Sequence, residues 1–292
     1  HQTAAVYRLG QDDRSLQQIR IVGDFPRALR DGELRLYVQP KLELTTGEIY
    51  GAEVLVRWQH PDLGLLFPDA FVPAIEQAGS IAHLTRWVLR EAVARCAAWR
   101  NQGVILGVAV NISVDDLTDE YLPYFLLELT QKHHLAPHTL TLEVTESAIM
   151  HNVQKSLAVV NCIHELGFRL AIDDFGTGHS ALSQLKRLPV DELKIDKSFV
   201  TQNDDAKDDA ILRATIDLAH QLDLTVVAEG VEDDATIARL TALGCEHAQG
   251  FAIGKPMPHE QFLPWLAQRR SGGRASVVAL PVAAAEPAAA RS

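Results

Sequence analysis

The chain lacks the features that would mark it as a membrane, secreted or nucleic-acid-binding protein. No run of about 18 apolar residues is present, which excludes an ordinary membrane-spanning helix. The three cysteines, Cys96, Cys162 and Cys245, have no paired spacing, so we interpret them as buried thiols of a reducing compartment. Basic residues are outnumbered, with 27 Lys and Arg against 38 Asp and Glu. The net charge of −11 argues against binding a polymeric nucleic acid.

Two common enzyme motifs are also missing. No Gly-x-Gly-x-x-Gly follows the first strand-like segment, which disfavours a dinucleotide-binding Rossmann domain. His164-Glu165 lacks the second histidine of a zinc-protease helix. The composition is otherwise that of a globular protein, with 47% hydrophobic and 22% charged residues.

Strands and helices alternate along most of the chain. A helical pattern from Ile19 to Leu29 precedes two strands, Leu34 to Val38 and Glu48 to Val56, joined by a turn at Thr45-Thr46-Gly47. Further strands are predicted at 104–110, 140–143, 170–173, 192–195, 224–228 and 246–248, with helices near 81–96, 115–132, 153–166, 180–187, 208–222 and 234–244. This alternation predicts the α/β class, with an eight-stranded parallel barrel covered by helices. Because no helix separates the first two strands, we expect the first to run antiparallel to the rest.

Polar residues end one apolar strand after another. The clearest case is the segment from Leu170 to Gly178, where an apolar run ends in Asp173 and Asp174. The carboxyl ends of the strands of a parallel barrel meet at one face, so side chains far apart in sequence converge there. The residues predicted to converge are Glu53, Asn111, Glu143, Asp173, Asp174, Lys194 and Glu229.

The chemistry of this set points to a metal-dependent hydrolase. Oxygen ligands without histidine suit Mg²⁺ or Mn²⁺ rather than zinc or copper. Converging carboxylates repel one another, and two divalent cations bridged by one carboxylate, roughly 4 Å apart, would relieve that repulsion. Such a pair of cations activates water and stabilises both oxygens of a phosphoryl displacement. The expected reaction is therefore phosphodiester hydrolysis.

Single residues of this set also have ordinary structural interpretations. Asp173 or Asp174 alone is equally well explained as a helix N-cap, and Asn111 alone as part of a turn. Lys194 alone is explained by an ion pair with Asp196. These interpretations do not explain why polar residues recur at five strand ends.

At these residues the chain closely resembles the EAL domain family, the cyclic di-GMP phosphodiesterases of bacterial signalling. The family signature corresponds to Glu53–Pro61, and the resemblance runs in order from about Asp24 to Pro264. Further matching segments are Tyr37–Pro40, Val110–Ser113, Leu142–Ser147, Asp173–Gly178, Leu193–Asp196, Ala228–Glu232 and Gln249–Phe251. Two departures are Val54 inside the signature and His179-Ser180-Ala181, where the family usually has a tyrosine and two serines.

The resemblance implies a modified TIM (β/α)8 barrel. It also implies an enzyme that opens cyclic di-GMP to linear pGpG with two Mg²⁺ or Mn²⁺ ions and is inhibited by Ca²⁺. It implies one metal held by Glu53, Asn111, Glu143 and Asp173, and a second held by Asp173, Asp174 and Glu229. Catalytic roles would fall to Lys194, Glu229 and Glu53. Substrate binding would fall to Gln39, Leu55, Arg57, Asp196 and Gln249, and support of the site to Glu146 and Glu232, with Glu146 tethering the loop at 175–180.

The resemblance also sets expectations for the rest of the protein. We expect residues 1–23 to connect to an upstream regulatory, sensory or GGDEF domain, 24–268 to form the barrel, and 269–292 to be a disordered tail. We expect a cytoplasmic homodimer. This location includes the case in which the chain is the cytoplasmic part of a membrane-bound parent protein. We expect it to act in bacterial signalling, for example in the control of biofilms. Two alternatives remain open: a catalytically silent cyclic di-GMP effector, and an enolase-like barrel enzyme that uses one Mg²⁺ and Lys194 as base.

Overall fold

Eight strands close into a barrel at the centre of the protein. The computed structural model describes residues 11–146, 153–176, 188–201 and 206–271. Its strands are β1 (Leu34–Glu43), β2 (Ile49–His60), β3 (Gly64–Leu66), β4 (Gly107–Asn111), β5 (Leu140–Thr145), β6 (Arg169–Phe175), β7 (Glu192–Ile195), β8 (Thr225–Ala228), β9 (His247–Gln249) and β10 (Met257–Pro258). Strand β1 pairs with both β2 and β9, which closes the ring β1-β2-β4-β5-β6-β7-β8-β9. The short strands β3 and β10 add to its edge at β2 and β1.

Strand β1 is antiparallel to both of its neighbours in the ring, whereas the other neighbouring strands are parallel. A tight turn makes this possible, because the Gly47 N–H donates to the Glu43 carbonyl at 2.8 Å and Gly47 takes a φ of 73°. Only antiparallel strands are joined by so short a connection. The predicted α/β barrel with an antiparallel first strand is confirmed.

Helices cover the outside of the barrel. In the described ranges they are α1 (Gln11–Arg30), α2 (Pro68–Gln77), α3 (Ile81–Asn101), α4 (Leu122–Lys132), α5 (Val153–Glu165), α6 (Lys197–Val200), α7 (Ala206–Gln221), α8 (Asp234–Ala242) and α9 (His259–Ser271). Helix α8 begins as predicted, since the Asp233 side chain accepts from the Thr236 N–H at 2.6 Å. Helix α9 continues slightly beyond the predicted end of the barrel at 268. The helix expected near 180–187 lies outside the described residues.

The helix predicted from residue 115 to 132 is wrong over its first part. The Asp116 carboxylate accepts from the backbone and hydroxyl of Ser113 and from the Thr85 hydroxyl, at 2.7 to 2.8 Å. These bonds hold a 3-10 turn at Asp116–Thr118, and helix α4 begins only at Leu122. Short polar side chains that bond to nearby backbone compete with helix in this way.

Aromatic packing fixes α1 and α2 to the upper part of β2. Trp58 is fully buried and meets Phe25 of α1 and Phe71 of α2 in edge-on contacts, with ring centroids 6.2 Å and 5.6 Å apart. Its indole N–H donates to Glu33 at 2.8 Å, so the polar edge of the buried ring is satisfied. Strand β2, which carries the signature segment, is thereby held rigidly against the helical layer.

The cysteines are free thiols, as predicted, but they are not all buried. Cys96 and Cys245 are buried, whereas Cys162 is half-buried, which corrects that part of the prediction. Burial raises the pKa of the Cys96 thiol to about 11. No helix in the described ranges combines the length and the apolar character that a membrane span requires.

Candidate active site

Lys194 lies at the centre of an acidic cluster inside the carboxyl end of the barrel. Its side chain is 1% exposed. Its Nζ lies 2.8 Å from Glu143 Oε2, 2.9 Å from Asp173 Oδ2, 2.8 Å from Glu229 Oε1 and 3.9 Å from Glu53 Oε2. These acids come from β5, β6, the residue after β8, and β2. Closure of the barrel therefore brings together residues that are far apart in sequence.

The cluster keeps Lys194 charged. Burial by itself would lower the pKa of Lys194, but the carboxylates of Glu143, Glu53, Glu229 and Asp173 raise it well above its usual value. The alternative ion pair with Asp196 is not formed among the described residues. Asp196 instead accepts from the Ser198 N–H at 2.9 Å and caps helix α6.

Amide side chains hold Glu53 in place. Asn111 donates to Glu53 Oε1 at 2.7 Å, and Gln249 donates to Glu53 Oε2 at 2.6 Å. Gln249 also donates to Gln39 Oε1 at 3.1 Å, and Gln39 in turn donates to the Gly254 carbonyl at 3.2 Å. Four residues predicted for the site are thus joined in one hydrogen-bond chain.

Asp173 and Asp174 both lie within β6, so neither is a helix N-cap. Asp174 has a φ of 55°, a conformation that few residues other than glycine adopt. The Asp174 N–H donates to Asp173 Oδ1 at 2.9 Å. One carboxylate oxygen from each of Asp173, Asp174 and Glu229 falls within 4.8 Å of the others. The strained backbone at Asp174 therefore lets the carboxylates of the adjacent residues Asp173 and Asp174 both face Glu229.

The electrostatics of the cluster favour a bound cation. Burial raises the pKa of Glu229 to about 8; Lys194 opposes this shift, whereas Asp173 and Glu53 add to it. Burial also raises the pKa of Glu53. Burial would raise the pKa of Glu143 too, but the two lysines beside it, Lys194 and Lys41, lower it. An all-oxygen donor set of this kind fits Mg²⁺ or Mn²⁺.

Sequence reasoning missed two charged residues deeper in the barrel. The Nζ of Lys41 lies 3.1 Å from Glu192 Oε2 and 3.4 Å from Glu143 Oε1. Lys41 and Glu192 are both buried. The available signal was the spacing of Lys41 from the candidate residue Gln39, because period-2 alternation places Lys41 on the same side of β1 as Gln39.

The loops around the cluster contain glycines that no other residue replaces without strain. The Gly176 N–H donates to Glu146 Oε2 at 3.3 Å, and a Cβ at Gly176, where φ is 97°, would lie 2.9 Å from the Phe199 ring. At Gly230, where φ is 67°, a Cβ would lie 2.3 Å from Lys197. The predicted tether by Glu146 is therefore seen only at Gly176, because 177–187 lies outside the described residues. Glu232 is exposed in the loop after β8.

Arg57 is buried between two aromatic rings at the edge of the site. Its guanidinium carbon lies 5.3 Å from the Tyr37 ring centre and 4.8 Å from that of Phe67. Its Nη1 donates to the Val56 carbonyl at 2.8 Å. A neighbouring cavity of about 460 Å³ is lined in part by Leu55, Val72, Ile81, Asn111 and Thr145. The predicted substrate residue Leu55 thus lines space that a ligand can occupy, whereas Arg57 is not among the residues that line it.

Comparison with known proteins gives consistent results. A family model described as EAL domain matches residues 22–256. The chain is 41% identical over 249 residues to the bifunctional diguanylate cyclase/cyclic di-GMP phosphodiesterase MucR of Pseudomonas aeruginosa, covering 85% of this chain and 36% of that protein. It is 36% identical over 261 residues to the cyclic di-GMP phosphodiesterase PdeR of Escherichia coli, covering 89% of this chain and 39% of that protein. The chain thus spans less than half the length of these curated relatives.

A solved structure described as the PaMucR phosphodiesterase in a c-di-GMP complex superposes with a TM-score of 0.79. The identity is 40%, and the match covers 83% of this chain and 99% of that chain. The similarity therefore extends over nearly the whole of that solved chain.

Proposed function

Since the chain belongs to the EAL domain family, we propose that it is a metal-dependent phosphodiesterase that hydrolyses cyclic di-GMP to linear pGpG. The observation that carries this proposal is the set of four carboxylates around Lys194, at 2.8 to 3.9 Å from its Nζ. The MucR structure with c-di-GMP and the activity in the name of PdeR support the choice of substrate.

The acidic residues present suit divalent cations, since oxygens of Asp173, Asp174 and Glu229 lie within 4.8 Å of one another. We propose that Glu53, Asn111, Glu143 and Asp173 hold one Mg²⁺ or Mn²⁺, and that Asp173, Asp174 and Glu229 hold the other. When bound, such cations supply Lewis acidity for a water nucleophile and for the developing charge on phosphate. In the reaction the water oxygen bonds to phosphorus, one bridging P–O bond breaks, and a proton reaches the leaving oxygen.

The chain's own residues orient this reaction. Lys194 holds Glu143, Asp173 and Glu229 within 3 Å of one ammonium, so their oxygens are positioned before substrate arrives. Glu229 either binds a cation or accepts the proton of the water, and both roles use the same inward-facing carboxylate.

We propose that Gln39, Leu55, Arg57, Asp196 and Gln249 contact the dinucleotide. Arg57 offers a planar set of donors that suits a phosphate or a guanine edge. Its place between Tyr37 and Phe67 restricts its motion, so little freedom is lost on binding.

The test is turnover of cyclic di-GMP by the whole chain with Mg²⁺ or Mn²⁺, with pGpG measured by chromatography. We expect pGpG to form with metal and not with chelator, to be lost in Glu53→Ala, and to be retained in Glu128→Ala on the exposed face of α4. Binding of cyclic di-GMP without turnover would instead identify a silent effector. A chain that neither forms pGpG nor binds cyclic di-GMP would refute the proposal that cyclic di-GMP is the substrate.

We also propose that 24–268 is the catalytic barrel, that 1–23 leads to an upstream regulatory, sensory or GGDEF domain, and that the protein acts as a cytoplasmic homodimer. The relatives support a multidomain parent, because the chain covers 36% of MucR and 39% of PdeR. Light scattering of the purified chain tests the dimer, and a monomer at micromolar concentration would refute it.

A further inference from the structure

We propose that Lys41 is a positioning residue for the metal site: it holds Glu143 from below, so that Lys41 and Lys194 together fix the direction of that carboxylate. The inference rests on the proposed function and adds a residue to it. Lys41 Nζ approaches Glu143 Oε1 at 3.4 Å, while Lys194 Nζ approaches Oε2 at 2.8 Å. Each oxygen of Glu143 therefore faces its own ammonium group.

The fold makes room for this lysine. Lys41 is paired with Gly51 of β2, and Gly51 is paired with Gly107 of β4. Register partners place their side chains on the same face of a sheet, so two glycines lie beside Lys41 in its layer. A Cβ at Gly51 would come within 3.0 Å of the Gly107 carbonyl oxygen. The lysine stem can therefore cross the interior of the barrel towards β5 and β7.

Solvent does not reach Glu143, so water cannot hold its carboxylate in another direction. Its side chain is 0% exposed, and those of Lys41 and Glu192 are 3% and 5% exposed. Glu192 Oε2 lies 3.1 Å from Lys41 Nζ, which balances the lysine charge and anchors the ammonium group. The result is a buried column in which Glu192 orients Lys41 and Lys41 orients Glu143. Partners of metal ligands in this position typically change metal affinity or activity by about 10–100-fold when removed.

A purely structural role for Lys41 predicts a different outcome. A buried ion pair contributes little net stability, because replacing both partners by neutral groups of similar shape is often tolerated. Removing only one partner leaves an unpaired buried charge and is strongly destabilising. The double variant Lys41→Met/Glu192→Gln therefore keeps the net charge of the interior and removes the ammonium group beside Glu143 Oε1, while Lys194 remains beside Oε2.

The experiment measures binding of Mn²⁺ alone, without substrate, by the electron paramagnetic resonance signal of free Mn²⁺. The proteins are the wild-type chain, Lys41→Met, the double variant, and Lys132→Met as a control on the exposed surface of α4. Urea unfolding with chelator is measured on each. We expect the double variant to unfold near the wild-type midpoint, yet to bind Mn²⁺ about tenfold or more weakly. Lys132→Met should match the wild type in both.

Two results would overturn the inference. A folded double variant with wild-type Mn²⁺ affinity would show that Glu143 needs no support from Lys41. A double variant that does not fold would show that Lys41 serves the core instead. Failure of the proposed function can be told apart from failure of this inference. If the wild-type chain binds Mn²⁺ but does not hydrolyse cyclic di-GMP, the Mn²⁺ affinities of the wild type and the double variant can still be compared. A wild-type chain that binds no Mn²⁺ would refute both.

Discussion

Replacing Lys194 by Met should destabilise the metal-free protein by about 3–5 kcal/mol, the cost of leaving buried charges without their partner. The side chain is 1% exposed and its Nζ lies within 3 Å of Glu143, Asp173 and Glu229, so Met keeps the length of the side chain but removes the positive charge beside them. Lys41 still contacts Glu143 from below. The loss therefore falls mainly on Asp173, because Glu229, whose pKa is raised to about 8, already holds a proton at pH 7.

A second estimate of the cost agrees with the first. An aspartate without its cation can take up a proton, and keeping a group of ordinary pKa about 3.9 neutral at pH 7 costs roughly 4.2 kcal/mol, at 1.36 kcal/mol per pH unit. The same reasoning gives the sign of the pH dependence. The folded variant holds a proton that the unfolded chain releases, so its stability falls as the pH rises above about 3.9. At pH 5.5 the cost should be only about 2.2 kcal/mol.

The assay is urea unfolding of the whole chain with chelator at pH 5.5 and pH 7, followed by circular dichroism. Lys132→Met, on the exposed surface of α4, is the control for loss of a lysine charge. Saturating Mg²⁺ should restore part of the lost stability, about 2.7 kcal/mol at a concentration 100 times the dissociation constant. A Lys194→Met chain as stable as the wild type at pH 7 in chelator, or equally destabilised at both pH values, would refute the electrostatic argument.

Three further predictions concern activity. Glu53→Ala should lower kcat by at least about 10²–10³-fold, as expected for loss of one preorganised group, while the barrel stays folded and cyclic di-GMP binding partly survives; near-normal turnover would refute the role of Glu53. Arg57→Ala should raise KM by roughly tenfold or more with a smaller effect on kcat, since one hydrogen bond from a charged group contributes about 1.5–3 kcal/mol, and an unchanged KM would contradict this. Ca²⁺ titrated against fixed Mg²⁺ should suppress pGpG formation, because Ca²⁺ prefers ligand distances of about 2.3–2.6 Å rather than about 2.1 Å; full activity with Ca²⁺ alone would exclude the proposed metals.

Much of the barrel could be predicted because its signals are local. Apolar runs of strand length, helical spacing such as Leu84, Val88 and Ala92, and glycines at helix ends are all visible within a few residues. The first part of the predicted helix at 115–132 was wrong because local signals do not show contacts with residues distant in sequence. Its Asp116 bonds to Thr85 of α3, a partner that no local pattern reveals.

The candidate site likewise has features that local sequence predicts and features that it does not. The sequence by itself determined which acids end the strands, because position at a strand end is a local property and all parallel strands of a barrel end at one face. Only the tertiary structure decided which of them share a partner: Lys194 with Asp173 and Glu229, and Lys41 with Glu143. Those contacts depend on how the ring closes and on the register of each strand pair. A shift of one residue would turn every inward side chain outward, so the pairing inside the barrel belongs to the closed fold.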